Sequence, residues 1–115
     1  MKNEKISNEK GLQAYLRLQA IKNGMTFDKV ESRSRKGFPD CIVVFEGVVA
    51  FIEVKTPAGT GKLSASQHRV IDDLRAHGTQ VGVVASQFQV DVVIKNILLQ
   101  AEINKAQKEA YRARA

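Results

Sequence analysis

The stretch GFPDCIVVFEGVVAFIEVK, Gly37 to Lys55, decides how this chain is read. It holds two apolar runs, Cys41–Phe45 and Val48–Val54, joined by Glu46-Gly47. Short runs rich in Val, Ile and Phe around a turn dipeptide predict two strands of an antiparallel hairpin. Pairing them through Glu46-Gly47 sets Val48 beside Phe45 and carries Glu53 to Asp40. Side chains alternate between the faces of a strand, so Glu53 and Lys55 are expected on the same face. Asp40, Glu53 and Lys55 should therefore gather at the open end of a hairpin that is otherwise almost wholly apolar.

Upstream lies a basic, polar loop, Glu31 to Pro39, punctuated by Gly37 and Pro39. Before it, a helix is expected from about Ser7 to Asn23, with Ser7 or Asn8 as cap and Asn23-Gly24 as its end. Glu9, Leu12, Leu16 and Ala20 follow the spacing of one helical face, which puts a carboxylate on a core-facing stripe. Either Glu9 has a function there, or it is an acid favoured by the helix dipole in the first turn.

Downstream, Pro57, Gly59 and Gly61 mark a flexible loop. Ser64-Ala65-Ser66-Gln67 is a capping-box pattern, opening a helix that runs to about His77 and stops at Gly78. Gln67, Ile71 and Leu74 share one of its faces. Val81–Ala85 reads as a third buried strand, and Asp91 to about Gln107 as a final helix. The expected order is α-β-β-α-β-α. The third strand, reached through a helix, is expected parallel to the second by a right-handed crossover. The fold class is α/β, a small mixed β-sheet flanked by helices.

A chain of 115 residues fits one domain, residues 1–115, with the Ala-rich, charged segment 101–115 as a C-terminal helical tail. There is no Trp and only 6% aromatic residues, so the core must be mostly aliphatic. The formal net charge is +6. Residues 41–100 are neutral on balance, and the excess of Lys and Arg lies in the two flanks. A positive surface suits a polyanion such as nucleic acid, and it also serves plain solubility. Cys41 is the only cysteine, which excludes an intrachain disulfide; one Cys and two His exclude the usual Cys/His zinc sites. No apolar stretch reaches 18 residues and no signal-peptide core opens the chain, so the expectation is a soluble, cytoplasmic protein without a membrane partner. No Ser-His-Asp arrangement, P-loop or dinucleotide-binding glycine pattern is present.

Two neighbouring carboxylates repel unless something compensates. A divalent cation does so most simply. Mg²⁺ prefers oxygen ligands and takes one or two protein carboxylates while keeping waters. Asp40 and Glu53 are the candidate ligands, with the Val54 carbonyl between Glu53 and Lys55 as a further oxygen. Glu9 would complete the shell directly or through a water. Lys55 is placed to orient a water or to stabilise charge on a phosphate. The competing reading makes Glu53 and Lys55 an exposed ion pair of little energetic value. Arg33, Arg35, Lys36 and Lys62 sit on loops beside these residues, either gripping phosphates or simply solvated. His68 turns about 100° from Gln67 around its helix and reads as a helix-face residue rather than a general base.

Gly37-Phe38-Pro39-Asp40, twelve residues, then Glu53-Val54-Lys55 resembles the PD-(D/E)XK nuclease pattern. More narrowly, the chain resembles the VRR-NUC family of that superfamily, above all its short, stand-alone members found in phages. The resemblance extends over about residues 7–95. It rests on Glu9 opening the first helix, the basic run Arg33–Lys36, the Gly37-x-Pro39-Asp40 and Glu53-Val54-Lys55 motifs, then Gly61-Lys62-Leu63-Ser64 and Gln67. It implies a restriction-endonuclease-like core and a Mg²⁺- or Mn²⁺-dependent DNA endonuclease. Asp40, Glu53, Lys55 and Gln67 would be catalytic, and Glu9, Asp40, Glu53 and Val54 would hold the metal. It further implies action on branched DNA such as four-way (Holliday) junctions, by a homodimer. Gln67 would line the site, a duty that competes with its place in the capping box. A non-catalytic DNA-binding module retaining the fold, and an interaction protein whose basic flanks serve solubility, are the alternatives.

Overall fold

Among the residues described by the computed structural model, which are 6, 8–56 and 62–114, seven elements follow in chain order. They are α1 (Glu9–Lys22), β1 (Thr26–Lys29), β2 (Cys41–Phe45), β3 (Val48–Val54), α2 (Ala65–Ala76), β4 (Gln80–Val84) and α3 (Gln87–Arg114). The expected cap Ser7 and the loop residues Pro57, Gly59 and Gly61 lie outside the described residues.

The hairpin forms in the anticipated register. Phe45 pairs with Val48 and Cys41 with Ile52, antiparallel. Glu46 and Gly47 both take left-handed backbone angles, φ 48° and 83°. A two-residue turn of this kind matches the natural twist of the strands it joins, and glycine adopts it without steric cost. β4 pairs with β3 in parallel, Val84 opposite Val54, as the helical crossover requires. The sheet order is β1-β2-β3-β4, a mixed α/β architecture with helices on both faces.

β1 is an addition to the six elements expected from the pattern. Its four residues, Thr-Phe-Asp-Lys, bury little, and only Phe27 reaches the core. An edge strand needs a partner on one side alone, so it carries almost no hydrophobic signature. α3 is also longer than expected at both ends. It starts at Gln87 instead of Asp91 because Ser86 caps it: the Ser86 hydroxyl accepts the Gln89 N–H at 3.1 Å, and Gln89 Oε1 accepts the Ala85 N–H at 2.6 Å. It runs on to Arg114, past the expected end near Gln107.

Alternation along the strands divides the sheet. Cys41, Val43, Val48, Ala50, Ile52 and Val54 are buried against α1 and α3. There they meet Leu12, Leu16 and Ala20 of α1 and Val90, Ile94 and Ile97 of α3. The stripe predicted for the first helix is thus its buried face, except at Glu9, which is exposed. Burial pushes the Cys41 thiol up to about 12, so it is an inert small hydrophobe. On the other face Ile42, Val44 and Phe51 are half-buried and Val49 is exposed. α2 packs against β4 there, and Phe38 stands edge-on to Phe51 at 5.2 Å. No helix among the described residues is long and apolar enough to cross a membrane.

Candidate active site

Glu53 is where the alternation of β3 has chemical consequences. Its neighbours Ile52 and Val54 point into the aliphatic core, so its own side chain faces α2. It is nonetheless 2% exposed, the single buried charged residue among those described. Asp40, just before β2, meets it at the open end of the hairpin. One Asp40 carboxylate oxygen accepts the Val54 N–H at 3.0 Å, and the Asp40 carbonyl accepts the Val30 N–H at 2.7 Å. The ends of β1, β2 and β3 are thereby tied together at Asp40, one through its carbonyl and one through its carboxylate.

Burial is the main force on Glu53. It pushes the carboxyl up to about 7, the charge of Asp40 adds to the rise, Lys55 opposes it, a hydrogen bond with the Asp40 side chain raises it again, and Glu9 contributes the last increase. Lys55 continues the line of β3, its N–H donating to the Val84 carbonyl at 2.8 Å. Its ammonium lies 3.7 Å from Glu53 Oε2. With side-chain exposures of 13% and 3%, this is no solvated surface pair. Glu53 and Lys55 share the expected face.

Gln67 joins these groups. Its Nε2 donates to Glu53 Oε2 at 3.0 Å, and its Oε1 accepts from Lys55 Nζ at 3.1 Å. The same Oε1 accepts the Ser64 N–H at 2.8 Å, while the Ser64 hydroxyl accepts the Gln67 N–H at 3.2 Å. The expectation that capping box and site compete for Gln67 is therefore corrected. An amide oxygen has two lone pairs, and the amide nitrogen is left for the carboxylate. The cap fixes the amide, and the fixed amide orients Lys55 and Glu53.

Gly37 holds that helix end against the Asp40 loop. Its φ is +91°, and a Cβ there would stand 2.6 Å from the Ser66 carbonyl carbon and 2.8 Å from the Gln67 nitrogen. Only glycine permits both the backbone angle and the approach. The sequence marked Gly37 as loop punctuation; its packing on the first turn of α2 is a tertiary fact.

Glu9 stands at the rim. Its Oε2 accepts the Thr56 hydroxyl at 3.0 Å, linking the start of α1 to the residue after Lys55. Thr56 escaped the sequence reading, and its place directly after Glu53-Val54-Lys55 was the only available signal. Arg33, Lys36 and Lys62 are exposed. Arg35 is exposed too but pairs with Asp73 of α2 at 2.8 Å. His68 is exposed, away from the buried cluster.

Among the described residues no three His, Cys, Asp or Glu side chains converge as a ready-made metal cage. The donors that fit a cation are fewer: Asp40, Glu53 and the Val54 carbonyl. One observation favours that fit. Glu53 Oε1 is buried without a hydrogen-bond partner, and an orphaned carboxylate oxygen is costly unless a cation, or in its absence a proton shared with Asp40, meets it. Two carboxylates suffice for Mg²⁺, which keeps most of its shell as water.

The model of the VRR-NUC domain family matches residues 5–88. A solved structure described as a VRR-NUC domain is similar with a TM-score of 0.72 at 32% identity, over 78% of this chain and 97% of that chain. No curated protein matches the chain.

Proposed function

Because the chain belongs to the VRR-NUC family and has its nuclease-type fold, we propose that it is a metal-dependent endonuclease that hydrolyses DNA phosphodiester bonds. The observation that carries this reading is Glu53: a buried carboxylate with one orphaned oxygen, set against Asp40 and held by Lys55 through Gln67. A structural ion pair has no use for a second acid beside it, and a plain DNA binder has no use for acids facing phosphates.

Asp40, Glu53 and the Val54 carbonyl would hold Mg²⁺ or Mn²⁺, with Glu9, at the rim, joining through a water. When bound, the cation supplies polarisation of the phosphodiester and acidification of a water at neutral pH. Lys55 presents its ammonium to the charge that develops on the phosphate, or orients the attacking water. Gln67 keeps the Lys55 amine and the Glu53 carboxylate at fixed distances, so little reorganisation is left for the reaction itself. Arg33, Lys36 and Lys62 meet the backbone phosphates, and Arg35 joins them by exchanging Asp73 for a phosphate.

The substrate we propose is branched DNA, with four-way junctions first, cut by a homodimer. The family resemblance supports this choice. A junction of two-fold symmetry offers two equivalent strands, and a two-fold dimer presents two equivalent sites.

The test is cleavage of labelled duplex, flap and four-way-junction DNA in Mg²⁺, Mn²⁺ or EDTA. Metal-dependent cutting with preference for the junction is expected. Binding without cutting of any substrate would overturn the enzyme in favour of a DNA-binding module.

A further inference from the structure

β4 runs parallel to β3, so α3, which follows it, starts at the end of the sheet where Asp40 and Glu53 lie. It then crosses the sheet on the face of the aliphatic core. Ile94, Ile97 and Ala101 are its last buried residues. Residues 102–114 continue as helix beyond the sheet, nearly all of them exposed. At 1.5 Å per residue this overhang is about 20 Å long.

The stripe that packs on the sheet does not end with the sheet. Ile94, Ile97 and Ala101 are followed on the same helical face by Lys105, Lys108 and Arg112. Where the core stops, the stripe turns from aliphatic to basic. The overhang carries Arg114 as well, against Glu102 and Glu109. Lys105 lies three residues from Glu102 and four from Glu109, and Arg112 lies three from Glu109. Even so, the ion pairs among the described residues use none of the four. The stripe carries three cations in a row facing the β2–β3 turn, where Glu46 is the acid nearby, and the exposed apolar side chains of the overhang, Ile103 and Tyr111, lie off the stripe, so charge is what this face offers a partner. The family match ends at residue 88, so this arm lies outside the matched span.

We propose that residues 102–114 form a basic arm that grips the phosphates of duplex DNA through Lys105, Lys108 and Arg112, away from the site of cleavage. This deepens the nuclease reading and rests on it for the identity of the polyanion. Counted from the start of α3, these residues lie roughly 30–40 Å along the helix axis, on the order of one turn of B-DNA. The arm therefore holds a duplex segment about one helical turn from the bond being cut.

The experiment replaces all three cations in the full chain, K105A/K108A/R112A. Alanine keeps the helix, which circular dichroism would verify. Each lost phosphate contact should lower the slope of log K against log salt by about 0.9, so the slope should fall by roughly 2–3. The turnover at saturating DNA should stay as in the unmodified protein. On substrates whose duplex arms are shorter than about 8 base pairs, the two proteins should bind equally. E102Q/E109Q, which removes the neighbouring acids, should tighten binding. An unchanged salt slope overturns the arm, and so does a change of oligomeric state in place of a change of slope. Failure of the unmodified protein to cut would overturn the nuclease reading while leaving the slope comparison valid for the arm.

Discussion

Ile52 and Glu53 are consecutive on β3, yet they belong to opposite worlds. Ile52 is fully buried among the aliphatic side chains of α1, α3 and the sheet, a face closed by shape alone. Glu53 is nearly as buried but surrounded by polar groups: Asp40, Lys55 and the Gln67 amide. One face spends its burial on stability. The other buries a carboxylate against its own preference for water and leaves one oxygen without a partner. A fold that holds both on neighbouring residues can lose either property separately, because the strand's alternation keeps the two faces out of contact.

The largest effect should come from the polar face. Lys55→Ala or Asp40→Asn should lower cleavage by about 10²–10³-fold or more, while junction binding stays largely intact. Activity near that of the unmodified protein in either variant would place the chemistry elsewhere. Ile52→Ala tests the aliphatic face. It should cost about 2–5 kcal/mol in urea unfolding, with the turnover of the remaining folded protein unchanged. A loss of turnover without a loss of stability would show that the faces are coupled.

Gly37→Ala sits between these cases. The new Cβ meets backbone atoms at 2.6–2.8 Å in a left-handed conformation, which should cost about 1–3 kcal/mol. Because the atoms it meets are those of Ser66 and Gln67, the Gln67 amide must shift as well. We therefore expect turnover to fall by more than the stability loss explains, as single-turnover rates on folded protein would show.

The smallest effect is the pH dependence of the metal-free protein. Glu53 in the folded chain titrates near 7, above its ordinary value of 4.5. The folded state therefore holds that proton more tightly than the unfolded chain. The stabilisation is complete below about 4.5 and is lost as pH rises through about 7. Thermal melts in EDTA should show Tm declining across this window, and Glu53→Gln should flatten the decline. Mg²⁺ or Mn²⁺ should restore stability above pH 7, since a cation competes with the proton for the carboxylate. A Tm that rises across the window in EDTA, with no difference in Glu53→Gln, would contradict the burial of this charge.

Much of the architecture was readable from local pattern. A two-residue turn between two short apolar runs leaves one register, and that register delivers Glu53 to Asp40 and Lys55 to the face of Glu53. The period of the apolar positions likewise located the core side of α1 and the packed side of α2. β1 was not readable, because an edge strand of four mostly polar residues carries no hydrophobic period. The start of α3 was legible but passed over: Ser86-Gln87-Phe88-Gln89 has the Ser-x-x-Gln spacing already read at Ser64–Gln67, whereas the expected start at Asp91 followed the apolar period alone.

At the site the division is similar. The spacing of Asp40, Glu53 and Lys55 follows from strand geometry, a short-range property that any folded version of this chain would keep. That Glu53 is buried, that Gln67 serves cap and cluster at once, that Gly37 lets a loop abut α2, and that Thr56 reaches Glu9 all depend on segments from 12 to 47 residues apart. Residue order sets which groups lie near each other along a strand or helix. The distances that shift the Glu53 proton and fix the Lys55 amine arise only when α2 and the Asp40 loop close over the polar face of the sheet.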